Sequence, residues 1–418
     1  MIFFYRIVLF IVFGGAVSFC RGDAVHASPA SRVSAASHAS CTGSGELFLE
    51  NPPDRLSATQ VFEDLSTLKP CSNLVEYEVN SPLWSDGAVK RRWVLLPKNG
   101  KIEFSPDNPW VYPPGTVFIK QFDLRIGPAE IVRVETRFLV SHPDGKWSGY
   151  TYRWEDAREG EQKDAHLLSG AEEATFQITL PDSPGSPSLN TAIQAPSSNP
   201  SSNSSSNPSS NSSSNSSSNP SSNSSSNSSS TQVQRWAFPS RPMCMQCHNS
   251  WSGFILGARQ EQLNQMRDSD GSTSNQLQSW ENRNFFSKKL ELRDDDSKFV
   301  KISDVSQPLE KRVRSYLAVN CSECHQPGSV VRSGVDLRYK TPLAQTHMIN
   351  SLANLADMDL ENPLIVNPGD KNSSVLWLRM KTRGTRHMPL LGSNVPDDQA
   401  IDLVGEWIDG MPATSLKD

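Results

Sequence analysis

The first half of the chain alternates. Val75, Tyr77 and Val79 are separated by Glu76 and Glu78, and Phe122, Leu124 and Ile126 by Asp123 and Arg125. Val132, Val134, Thr136 and Phe138 are separated by Arg133, Glu135 and Arg137, and Tyr150, Tyr152 and Trp154 keep the same period. A period of two puts one set of side chains on one face of a strand, so these runs predict strands. Pro143-Asp144-Gly145 lies between two of them and predicts a hairpin turn. Phe176, Ile178 and Leu180 alternate again, as does the run from Val233 to Phe238. Beyond Phe238 the period becomes helical. Glu310 to Val319 predicts an amphipathic helix. Ile401, Val404 and Ile408 predict another, with Leu403 and Trp407 beside them and a start at Pro396, Asp397 and Asp398 that suits a helix N-terminus. The predicted class is α+β: an antiparallel, sandwich-like β domain over 46–243, then α-helical modules over 244–305 and 306–418.

Two segments break this pattern. Behind Arg6, Ile7 to Phe19 is an apolar run of thirteen residues. That is short for a bilayer span and right for the core of a signal peptide, so residues 1–27 are expected to be a leader. Cleavage after Cys20, Ala24 or Ala27 fits, and the expected location is periplasmic or otherwise secreted, with membrane contact only through an uncleaved leader. Residues 186–230 repeat Ser-Ser-Asn-Ser and Ser-Ser-Asn-Pro with almost no apolar side chain. Such a tract cannot bury enough surface to offset its ordering entropy and is predicted to be disordered. Strand-like runs flank it, which suggests an insertion at the tip of one hairpin, where added length costs little closure entropy.

The tract accounts for much of the low apolar fraction, 36% of 418 residues. A net charge of -5 gives no electrostatic footprint for nucleic acid. Of seven cysteines, Cys20 lies at the edge of the leader and four fall in two motifs. Cys41 and Cys71 remain and are expected to pair in an oxidising compartment.

The motifs are Cys244-Met245-Gln246-Cys247-His248 and Cys321-Ser322-Glu323-Cys324-His325. C-x-x-C-H is the attachment signature of haem c. Cysteines three apart lie on one helical turn, where both thiols meet the two vinyl groups of one macrocycle. The histidine that follows is placed as proximal ligand to the iron. Zinc ribbons also pair C-x-x-C motifs, but usually about 15–20 residues apart; here 73 residues separate Cys247 from Cys321. A thioredoxin-like site needs a βαβ context that the pattern lacks. Two covalent haem c groups are the expectation, with Cys244, Cys247, Cys321 and Cys324 as attachment points and His248 and His325 as iron ligands.

Met388 lies 63 residues after His325 and precedes Pro389. A Met-Pro pair at that distance, followed by a C-terminal helix, is the layout of a small class I cytochrome c, so Met388 is the expected sixth ligand of the second haem, with His387 as its rival. For the first haem, Met266 and His347 (or its neighbour Met348) are candidates, and a five-coordinate iron is the third possibility. Trp84, Trp93, Trp147 and Trp154 read as core, with a sugar-binding platform as the alternative.

Several further stretches carry a family resemblance. They are Asn80-Ser-Pro-Leu-Trp-Ser-Asp-Gly-Ala-Val-Lys90, Pro114-Gly-Thr-Val-Phe-Ile-Lys120, Val134-Glu-Thr-Arg137 and Trp147-Ser-Gly-Tyr-Thr-Tyr-Arg-Trp154. Phe238-Pro-Ser-Arg-Pro-Met-Cys-Met-Gln-Cys-His248, Gln262-Leu-Asn264, Asn275-Gln-Leu277 and Pro368-Gly-Asp370 extend the match over most of the mature chain. The chain resembles a family of bacterial secreted dihaem c-type cytochromes of unassigned physiological role. Similar regions occur fused behind quinoprotein sugar dehydrogenases, and the resemblance therefore implies electron acceptance from a dehydrogenase, with redox proteins as partners. The Ser/Asn tract departs from the pattern, as does Arg153-Trp154-Glu155, where relatives often show an aromatic followed by Asn. Electron transfer is the predicted function. The rivals are a dihaem peroxidase-like oxidoreductase and a binding module in which the haems serve as wiring. No acid–base pair lies close in sequence after His248, which favours a carrier over an enzyme.

Overall fold

The computed structural model describes Phe48 and residues 51–413, except 107, 156–162, 181–229, 270–271, 292–297, 330, 332 and 355–357. The expected leader over 1–27, Cys41 and all of the 186–230 tract but Ser230 lie outside the described residues. The described residues form one compact unit, which the expected β-rich and helical segments share.

The alternating runs pair in sequence order. Strands β3 (Leu74–Glu76), β4 (Val89–Leu95), β5 (Val117–Arg125), β6 (Ile131–Ser141), β7 (Trp147–Trp154) and β8 (Ala165–Leu167) build one six-stranded antiparallel sheet, preceded by a small ribbon of β1 (Phe62–Asp64) and β2 (Lys69–Pro70). Short connections make this meander possible. The predicted turn joins β6 to β7, with Gly145 at φ +79° and the His142 amide donating to the Lys146 carbonyl at 2.8 Å. Strands β9 (Glu172–Leu180) and β10 (Ser230–Phe238) pair with each other, Leu180 opposite Ser230, so the Ser/Asn tract connects adjacent strand ends.

One face of the sheet is mostly apolar, with Gln121 and Thr136 as buried polar residues on it. Trp93, Leu95, Val117, Ile119, Phe138, Val140, Tyr150, Tyr152 and Trp154 point to it and pack beneath Phe48, Leu56, Val61, Phe62 and Leu68. The expected sandwich is met only in its antiparallel strands. Among the described residues no second large sheet covers either face, because after β8 the chain spends its pairing on the β9–β10 ribbon. Loops, short helices and the β9–β10 ribbon supply the second layer. Trp93 and Trp154 are buried core residues, and the Trp154 indole donates to Gln121 Oε1 and Thr136 Oγ1. Trp147 packs against Phe118 and Phe254.

Helices follow: α1 (Arg241–Cys247), α2 (Gln260–Leu263), α3 (Gln276–Asn282), α4 (Leu309–Asn320), α5 (Val375–Lys381) and α6 (Asp398–Asp409). A short hairpin of β11 (Met266–Ser269) and β12 (Ser272–Asn275) separates α2 from α3. Both helices read from the pattern are present, as α4 and α6. Asp397 caps α6 by accepting the Ala400 amide at 3.2 Å. Val313 and Leu317 of α4 pack with Ile401, Val404 and Ile408 of α6 around Trp377. No described helix is long and apolar enough to cross a membrane.

The 80–90 segment ties these parts together. The Asn80 amide donates to the carbonyls of Glu261 and Asn264, at 2.9 and 3.2 Å. The Ser81 backbone exchanges two hydrogen bonds with the Gln262 side chain. Trp84 donates from its backbone to Asn320 Oδ1 and from its indole to the Val395 carbonyl, and Asp86 accepts the amides of Asn394 and Val395. Replacing buried Asn80 by Ala removes its bonds to both carbonyls, of which Glu261's keeps the Phe299 amide, and we expect it to lower stability in urea unfolding by about 1–3 kcal/mol. Lys146→Ala at the exposed hairpin turn is expected to be neutral.

Candidate functional site

The first motif ends helix α1. Ser240 and Pro242 start this helix, and the Cys244 and Cys247 thiols are both half-buried on it. Helix α1 lies against β7, and the contact depends on a missing side chain. A Cβ placed on Gly149 would stand 2.6 Å from Cys244 Cβ and 3.0 Å from its sulfur. The thiol also bonds Thr151, two residues along the same strand face.

His248 follows at the C-cap. Its Nδ1 is 2.6 Å from the Phe254 carbonyl, which leaves Nε2 as the nitrogen not used in that bond. Burial, reinforced by the cations Lys120 and Arg137, holds its pKa down at about 4 despite the Phe254 bond, so the imidazole is neutral at pH 7. The second motif follows helix α4 directly. His325 Nδ1 is 2.8 Å from Ser333 Oγ, and burial with nearby Arg379 lowers its pKa as well.

The two motifs share a turn that the sequence analysis missed. Ser252 donates its hydroxyl to the Cys247 carbonyl at 2.7 Å, and Ser329 donates to the Cys324 carbonyl. Each serine stands five residues after its cysteine. A Cys-His-x-x-x-Ser repeat in the sequence was the available signal.

The motifs are also neighbours. The Trp251 ring, just after the first, lies where a Cβ on Gly328, just after the second, would be 3.0 Å from Cζ3; Gly328 also holds φ +78°. Trp251 and Ser252 line a groove of about 800 Å³ together with Ser322, Glu323 and Gln326. The Cys247 thiol is pushed up to about 11, first by burial and next by Cys324. Burial also raises Cys244 and Cys324 and pushes Cys321 up to about 12. These are protonated thiols at neutral pH, unlike the low-pKa cysteine of a dithiol redox site. All four are free. Cys71 is disulfide-bonded, and its expected partner Cys41 lies outside the described residues.

Met388 is half-buried after α5. Its amide donates to the carbonyl of Arg379 at 2.9 Å, and Arg379 is the cation that acts on His325. His387 turns its Nδ1 to the carbonyl of Gly384 in its own loop. Met266 is not brought to the first motif. It is 61% exposed on β11, whose Arg267 pairs with Glu76 at the β3 edge, at the other side of the sheet from β7. His347 is exposed and lines the groove between the motifs, while Met348 is buried in the α4–α6 core.

Searches against protein-family models, curated proteins and solved structures find no match to this chain. Gly149→Ala must force α1 off β7 and is expected to cost about 1–3 kcal/mol in chemical denaturation. Gly170→Ala, where a Cβ meets nothing within 4 Å, is the neutral control.

Proposed function

We propose that this protein is a dihaem c-type cytochrome that carries electrons, with one haem c attached at Cys244 and Cys247 and the other at Cys321 and Cys324. The observation that carries the reading is the pairing, in both motifs, of two unbridged thiols with a neutral histidine anchored through Nδ1. A haem iron takes a neutral imidazole through its free nitrogen, and a second-sphere acceptor on the other nitrogen fixes the ring. Zinc would need thiols and imidazole converging on one point, and among the described residues no three His, Cys, Asp or Glu side chains do so.

Haem bound at each motif supplies a one-electron ferric/ferrous couple. The chain's own residues hold and tune it. In this reading His248 and His325 would each hold an iron through the imidazole, and Met388, whose amide bonds the Arg379 carbonyl, would be the second ligand paired with His325. The helical segment over 306–418, with α4 leading into its motif and α6 closing on α4, is then a class I-like cytochrome c module. Cys247 and Cys324 are close enough to interact electrostatically, which favours a single electron-transfer unit over two independent carriers. A secreted location and a dehydrogenase as electron donor follow from the leader-like N-terminus and the family resemblance.

After extraction of free haem with acid, the intact mass is expected to exceed that of the mature polypeptide by two haem groups; a bare polypeptide with zinc would sink the proposal. Met388→Ala is expected to remove a sulfur-to-iron charge-transfer band in the near infrared and to lower one of two potentials, with His387→Ala leaving both unchanged. Rapid peroxide turnover by the half-reduced protein would replace the carrier reading with a peroxidase.

A further inference from the structure

The face of the sheet that meets α1 carries a row of cations. The register sets Arg92 of β4 opposite Lys120 of β5, and Lys120 opposite Arg137 of β6. Like charges directly opposite one another destabilise a sheet, and burial raises the cost. Arg92 is 9% exposed, and Lys120 and Arg137 are half-buried. Apolar clusters border the row on both sides, with Val94, Phe118 and Leu139 along one edge and Phe122, Trp236 and Phe238 along the other.

The charged groups around it are already engaged. Glu135 takes both Arg137 and the Trp236 indole on Oε1; its buried Oε2 makes no hydrogen bond, and its charge acts on Lys120 without a direct ion pair. Asp86 and Asp397 flank Lys90, but Asp86 holds the amides of Asn394 and Val395, and Asp397 caps α6. Glu78, beside Arg92, pairs with Arg267, and buried Tyr77 keeps its proton. Lys120 Nζ lies 5.0 Å from the Phe122 ring centroid and makes no hydrogen bond or ion pair with a described residue. Arg92 makes one bond, at 3.5 Å, to the Lys90 carbonyl. Among the described residues, neither half-buried Lys120 nor buried Arg92 forms an ion pair with a carboxylate.

The row also has a direction. On β7, Thr151 stands opposite Arg137 and bonds the Cys244 thiol. From β7 the row runs through Arg137 to Lys120 and Arg92. Lys120 is two strand spacings from Thr151, roughly 10 Å, and Arg92 is three. That span matches the distance across a porphyrin from its vinyl edge, where the cysteines bond, to its propionate edge.

We propose that Lys120 and Arg92 bind the propionates of the haem anchored at Cys244 and Cys247, with Arg137 lying between anchor and propionates. The proposal rests on the dihaem reading. It makes the sheet a wall of the first haem site, with a defined ligand chemistry of two carboxylates against two cations.

The test uses the full-length holoprotein and four variants: Lys120→Leu, Lys120→Arg, Arg92→Gln and the exposed control Lys146→Leu. Intact mass counts the haems, spectroelectrochemistry gives both potentials, and resonance Raman reads the propionate bending bands. Removing a cation beside a ferric centre stabilises the oxidised state. Lys120→Leu and Arg92→Gln are therefore expected to lower one potential, leave the other, and shift the propionate band, with Lys120→Arg restoring the wild-type values. Loss of one haem in Lys120→Leu with retention in Lys120→Arg supports the same site. Unchanged potentials and propionate bands in Lys120→Leu and Arg92→Gln, with both haems attached, would overturn it. Wild-type protein without covalent haem would instead overturn the dihaem reading itself.

Discussion

Much of the first motif's setting depends on how closely helix α1 approaches strand β7. Gly149 sets that distance, because any side chain there would occupy the space of Cys244. Gly149 needs no unusual backbone angle; it is used for its small volume, in the middle of a strand where glycine otherwise weakens packing. The close approach brings the Cys244 thiol to Thr151 and puts His248 within the field of Lys120 and Arg137. The chemistry of the motif is thereby coupled to the sheet, and a β domain that looks like an appendage in sequence supplies one side of the site.

A second constraint brings the two motifs together. The 80–90 segment leaves the sheet between β3 and β4 and bonds, in turn, the α2 region, the end of α4 and the loop before α6. Asn320, which accepts the Trp84 amide, immediately precedes Cys321. The segment thus positions the second motif relative to the sheet on which the first rests. Trp251 against Gly328 then closes the contact from the other side. Buried polar side chains are suited to this task because each bond has one geometry, whereas apolar packing alone tolerates sliding.

The sequence revealed the strands because their alternation is a direct image of the pleat, and the β9–β10 pairing because both runs alternate. The motifs were legible because C-x-x-C-H is a fixed spacing of residue types that carry chemistry. The cation row was not legible. Lys120 sits in Val117-Phe-Ile-Lys-Gln-Phe122, a strand with apolar residues on both faces, so its adjacent polar pair looks like a break in the pattern. Its meaning appears only when register sets it between Arg92 and Arg137, residues far apart in the chain. A bulge between Phe122 and Asp123 further obscures which positions share a face. Met266 was a reasonable candidate by proximity in sequence, but a four-residue strand carries it to the wrong edge of the sheet. The two serines that bond the second cysteine of each motif were visible as a repeat, yet spacing alone gave them no role.

The β9–β10 ribbon has a consequence for how this chain can vary. Helix α1 begins three residues after Phe238, at the base of the ribbon, and the Ser/Asn tract joins its far end at Leu180 and Ser230. Nine residue pairs stand between the two ends, a ladder roughly 30 Å long. Changes in the tract's length are absorbed at the tip and do not alter the strand that delivers Arg241 to its place. Repetitive sequence gains and loses copies readily, and here it does so behind a rigid spacer. The ribbon is an insulator: it lets one stretch of the gene drift in length while the register at Cys244 stays fixed.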